Sequence, residues 1–73
     1  MIFCIAVFRS RTNTMEFIDQ MTRAGIICRP VNTPTAMKVG CGVSARFSCV
    51  YKGVAEKIIK NYSLGTFVGF YRV

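Results

Sequence analysis

Cys41 stands between two glycines, in the run Val39-Gly40-Cys41-Gly42-Val43, with Lys38 and Arg46 close by in sequence. A cysteine reacts as its thiolate, and neighbouring cations favour that form. Gly40 and Gly42 bring no Cβ near the sulfur. They also tolerate φ > 0, which lets consecutive N–H groups converge on one point. These residue types at this spacing point to a reactive thiol. The plain alternative is a tight turn in which Cys41 is incidental.

Other chemistries find little support. The chain has no histidine, so the commonest general base and the commonest metal ligand are both missing. Its four cysteines (Cys4, Cys28, Cys41 and Cys49) include no C-x-x-C pair, and a zinc site is not expected. Without a secretory signal, reduced thiols are the expected state and a disulfide framework is not. Cys4, Cys28 and Cys49 read as small core residues. The only carboxylates are Glu16, Asp19 and Glu56, all at positions that a helix would turn to solvent. No Ser/His/Asp set, phosphate loop or metal box is present. The expectation is therefore a protein that is not an enzyme and carries no metal or cofactor.

The elements that must position Cys41 are those of one small domain spanning residues 1–73. A chain of this length buries roughly 60% of its unfolded surface, which makes for a small core. Hydrophobic residues make up 52% of it, more than such a core can hide, so a homo-oligomer is expected. The longest apolar run, Ile2–Phe8, is far short of a membrane span, and no basic segment precedes it as in a signal peptide. The expected location is the cytoplasm, with no membrane partner. Ten Lys/Arg against three acidic residues give a net charge of +7, which suits an anionic partner or simply solubility.

Ile2–Phe8 is apolar at every position and predicts a central strand covered on both faces. Ser10, Thr12 and Asn13 are candidate helix caps, and Asn13 with Glu16 has capping-box spacing. Phe17, Ile18, Met21 and Ala24 then recur at helical spacing, until Gly25 offers a left-handed stop. Ile26–Val31 predicts a second strand, placed at a sheet edge by Pro30, which cannot donate to a ladder. Val43, Ala45, Phe47 and Cys49 alternate with Ser44, Arg46 and Ser48 in a third strand. Val54, Ala55, Ile58, Ile59 and Tyr62 line a second helix that Gly65 would end, and Thr66–Val73 closes the chain as a last strand.

The order β-α-β-β-α-β predicts an α+β, ferredoxin-like fold: a four-stranded antiparallel sheet with both helices on one face. Following the direction of each element, the start of the first helix shares one end of the domain with the connection that holds Cys41. Arg9 and Arg11 belong to that end. A helix N-terminus carries a partial positive charge and free N–H donors, so this end suits anions, among them thiolates and persulfides.

Phe8-Arg9-Ser10, Ala24-Gly25-Ile26, Thr33-Pro34, Cys41-Gly42-Val43 and Arg46-Phe47, taken together, resemble the selenium/sulfur carrier-like family of small bacterial proteins over essentially the whole chain. The resemblance implies that Cys41 accepts a sulfane sulfur or selenium from a donor protein, such as a cysteine desulfurase, and passes it to an acceptor. Gly40 and Gly42 would shape the site, while Arg9, Arg11, Lys38 and Arg46 would stabilise the added negative charge. The chain departs from the family pattern at Thr35, where the family has arginine, and at Lys38, Val39 and Gly40, where it has serines.

Two other functions use the same features. A nucleic-acid-binding module would exploit the positive charge, but Ser44, Arg46 and Ser48 on the third strand do not make an aromatic RNA-stacking face, and nucleic acid is disfavoured. An accessory protein without thiol chemistry would use the aromatic last strand (Phe67, Phe70, Tyr71) as a contact between subunits.

Overall fold

The computed structural model describes residues 2–38 and 40–73, with Ala36 described for its backbone alone. Six principal elements follow the expected order: β1 (Phe3–Phe8), α1 (Arg11–Arg23), β2 (Cys28–Asn32), β3 (Val43–Ser48), α2 (Lys52–Asn61) and β4 (Phe67–Arg72). Single 3₁₀ turns occupy Thr35–Met37 and Cys49–Tyr51. The four strands form one sheet in the order β2-β3-β1-β4, and each neighbouring pair is antiparallel. This is the ferredoxin-like arrangement. Pro30 lies on β2, at the sheet edge.

The helices cover one face. Cys4, Ala6 and Phe8 of β1, Cys28 of β2, and Ala45 and Phe47 of β3 meet Phe17 and Met21 of α1 and Ala55 and Ile58 of α2 in a single core. Five phenylalanines close a circuit through it: Phe8, Phe17, Phe47, Phe70 and Phe67, with successive ring centroids 4.8–5.9 Å apart. Tilted and edge-on pairs at this spacing add stabilisation beyond their buried area. Phe67 and Phe70 are thus half-buried against their own core, and of the three aromatics on the last strand Tyr71 alone is exposed. The other face of β1 is covered too, by chain rather than by helix. Ile5 and Val7 are fully buried there, and the β2–β3 connection packs Gly40 against Val7.

Packing chooses among the candidate helix caps and moves one helix stop. Ser10, not Asn13, caps α1, its hydroxyl accepting from the Asn13 N–H at 3.3 Å. Asn13 instead accepts through Oδ1 from both the Thr66 hydroxyl (2.6 Å) and the Thr66 N–H (3.3 Å), tying α1 to the start of β4. Gly25, with φ +82°, does end α1. Ser63, rather than Gly65, takes the equivalent left-handed position after α2, at φ +52°. Each helix end closes with the paired carbonyl bonds of a Schellman motif, Gly25 to Thr22 and Ile26 to Met21, then Ser63 to Lys60 and Leu64 to Ile59.

The expectation of four reduced cysteines is overturned. Cys4 and Cys49 form a disulfide across a sequence separation of 45, with Cα atoms 5.1 Å apart. The sheet register is the reason. Phe3 pairs with Ser48, and the Cys49 N–H donates to the Ile2 carbonyl, so the chain leaving β3 lies beside the start of β1.

Candidate functional site

Cys41 is held by backbone geometry. Gly40 and Gly42 have φ of +87° and +89°, and Lys38 is left-handed as well, at +51°. A Cβ on Gly40 would fall 2.8 Å from Val7 Cγ1 and 3.0 Å from the Phe8 carbonyl oxygen. Glycine here serves close approach to β1 rather than room for the sulfur. The Cys41 N–H donates to that same Phe8 carbonyl (3.1 Å), and the Gly42 carbonyl accepts from the Thr33 N–H (2.9 Å). A position on Gly42 Cα would be free of neighbours, so its positive φ is what calls for glycine.

The Cys41 side chain is half-buried. Its Sγ–H donates to the Val43 carbonyl at 3.4 Å and lies 3.7 Å from Thr14 Oγ1. Thr14 is fully buried in the first turn of α1, and its hydroxyl reaches the Ser10 carbonyl (3.1 Å) and the Val43 carbonyl (3.4 Å). The start of α1 and the Cys41 loop therefore touch. Sequence reasoning missed Thr14. The available signal was its place one turn ahead of Phe17 and Met21 on the apolar stripe, where a buried hydroxyl must find partners.

Arg9 and Arg11 flank the Ser10 cap and are exposed, as is Lys38 in the connection that leads to Cys41. Arg11 lines a shallow cleft of about 320 Å³ together with Met15 and Val43, the residue that accepts from the Cys41 thiol. Arg46 is elsewhere. It lies three positions along β3 from Val43, roughly 10 Å at strand rise, beside Ile5 and Arg29, with its guanidinium 4.7 Å over the Phe3 ring. It faces away from the core, on the row of the sheet nearer the disulfide end. The structure thus groups Gly40, Cys41, Gly42 and Lys38 with Arg9 and Arg11 at one end and separates Arg46 from them. Val39 lies outside the described residues.

The remaining thiols differ sharply from Cys41. Burial pushes the Cys28 thiol up from 9.0 to about 12, so it stays protonated at neutral pH. Cys4 and Cys49 are consumed by their disulfide. Cys41 is the free cysteine with access to solvent. The acidic side chains have other partners or places: Asp19 pairs with Arg23 at 3.0 Å, Glu16 accepts from Gln20, and Glu56 is on α2. No helix among the described residues is long and apolar enough to cross a membrane.

A family model described as "Putative Se/S carrier protein-like" matches residues 3–70. No curated protein and no solved structure matches the chain. The matched span takes in every strand and helix start, the Cys41 loop and Thr14, and the chain belongs to this Se/S carrier protein-like family.

Proposed function

We propose that the protein carries sulfane sulfur or selenium between proteins in the cytoplasm, with Cys41 as the accepting atom. The observation that supports this most is the contrast among the cysteines: Cys41 has a free, solvent-accessible sulfur on a glycine loop against α1, whereas Cys28 is a buried thiol and Cys4 and Cys49 are joined in a disulfide. The Cys41 thiolate attacks the outer sulfur of a donor persulfide, R–S–SH. A bond forms between Cys41 Sγ and that sulfur, the donor S–S bond breaks, and its electron pair leaves on the donor thiolate, which takes up the proton. The products are Cys41-S-SH and R–SH, with no net oxidation. Delivery repeats the exchange, with an acceptor nucleophile attacking the outer sulfur and Cys41 leaving as thiolate. The selenium case follows the same pattern with selenium as the outer atom.

Within this scheme Gly40 and Gly42 present the sulfur. Lys38, Arg9, Arg11 and the first N–H groups of α1 favour the anionic persulfide. Arg46 has no part in it. In this reading the protein acts as a stoichiometric carrier rather than an enzyme, taking up and giving up one atom per Cys41. The test is peptide-resolved mass spectrometry after incubation with a cysteine desulfurase loaded with a persulfide (R–S–SH) or a selenosulfide (R–S–SeH), with Cys41→Ser alongside. The expected result is an adduct of one sulfur or selenium on Cys41, absent in the variant. Adducts scattered over Cys28, Cys4 and Cys49, or none, would reject the proposal.

A further inference from the structure

The sheet face away from the helices carries a second feature, at the end opposite Cys41. Arg29 and Arg46 are direct cross-strand partners on β2 and β3. Paired residues place their side chains on one face about 5 Å apart, and like charges so placed repel. The three acidic side chains, Glu16, Asp19 and Glu56, belong to the helices, which cover the opposite face. Among the described residues neither arginine has a salt-bridge partner.

The two arginines open on a cleft of about 850 Å³, whose other walls include Phe3, Ile27, Val50 and Tyr51. Its volume falls in the range of small-molecule sites. Ile27 and Val50 are 75% and 81% exposed, which is a costly way to leave large aliphatic side chains. Arg46 is already oriented, its guanidinium stacked on Phe3. A pair of uncompensated guanidiniums beside apolar walls is complementary to one kind of ligand, an anionic head joined to an apolar body.

We propose that this cleft binds a small organic anion, its carboxylate, sulfonate or phosphate lying between Arg29 and Arg46 and its apolar body on Phe3, Ile27 and Val50. The site is independent of Cys41 and of the carrier chemistry. Anilinonaphthalenesulfonate is a suitable fluorescent probe, and uncharged N-phenylnaphthylamine is its neutral counterpart. The expected result is saturable binding of the anion that weakens about threefold in Arg29→Gln and about tenfold or more in Arg29→Gln/Arg46→Gln, as for loss of charge-assisted hydrogen bonds. The neutral probe should bind more weakly and change less than about twofold in the same variants, on the same basis. Circular dichroism and thermal melts confirm that each variant is folded. Arg29 is exposed on an edge strand, so its single variant suffices if the double one does not fold. Equal binding of the anion by parent and variants would overturn the proposal, leaving only apolar adhesion. So would arginine-dependent binding of a short oligouridylate that the anion does not displace, which would make this face a nucleic-acid surface. Cys41→Ser should leave the anion affinity unchanged, so failure here and failure of the carrier assignment are read separately.

Discussion

The two ends of the sheet handle sulfur and charge in opposite ways. At the Cys41 end a free thiol sits on a loop with left-handed backbone at Lys38, Gly40 and Gly42, in contact with the first turn of a helix. At the other end the sulfurs of Cys4 and Cys49 are bonded to each other, and two arginines face one another beside an apolar cleft. Both ends are cationic, but for different reasons. One gathers exposed arginines and a lysine about a helix start; the other places like charges in register on a strand pair. Local charge in sequence did not separate them. Position along β3 did.

The largest expected effect falls on the disulfide end. Reduction, or Cys4→Ser/Cys49→Ser, should lower stability in urea by about 2–4 kcal/mol, toward the upper end because the closed loop is long. If stability is unchanged, the bridge is incidental to the fold.

At the Cys41 end, Gly40→Ala should cost about 2–4 kcal/mol, from left-handed strain plus the clash with Val7 and the Phe8 carbonyl, whereas Gly42→Ala should cost only about 1–2 kcal/mol of strain. Equal losses would mean that the loop does not lean on β1. Urea denaturation distinguishes the two.

Cys28 provides a pH test of the core that lies between the ends. Its thiol ionises near 9.0 when unfolded and near 12 when folded. Its contribution is complete below pH 9 and is lost as pH rises through 12, since over that window the unfolded chain gives up a proton that the folded chain keeps. Stability should fall with pH across this interval, with a shallower slope in Cys28→Ala. Native alkylation at pH 8 should modify Cys41 and spare Cys28.

The smallest effect sharpens the separation most. Arg46→Gln should leave the Cys41 alkylation rate within about twofold, because the two groups lie about a Debye length apart and salt screens much of their interaction. A larger change would restore Arg46 to the thiol site.

Much of this was legible in the chain because it is written locally. The unbroken apolar run of Ile2–Phe8, the alternation from Val43 to Phe47 and the helical stripe through Phe17 and Met21 each specify an element by its own period. Gly25 marks a helix end and Pro30 a sheet edge through backbone chemistry that needs no partner. The order of those elements, with the handedness of their crossovers, placed the start of α1 and the Cys41 loop at one end. Ser10, Thr12 and Asn13 all carried capping chemistry and packing chose Ser10, while after α2 it set Ser63 rather than Gly65 in the left-handed position.

The sequence by itself determined the fold class, the central and edge strands, and a single cysteine set between glycines in a connecting loop. Only the tertiary structure decided which residues meet. It bonded Cys4 to Cys49, brought Thr14 to the Cys41 sulfur across 27 positions, tied Asn13 to Thr66, and turned Arg46 toward Arg29 instead of Cys41. Periodicity reports which face a side chain takes, but partners far apart in the chain are fixed by strand register and helix docking, where a shift of one residue changes every neighbour.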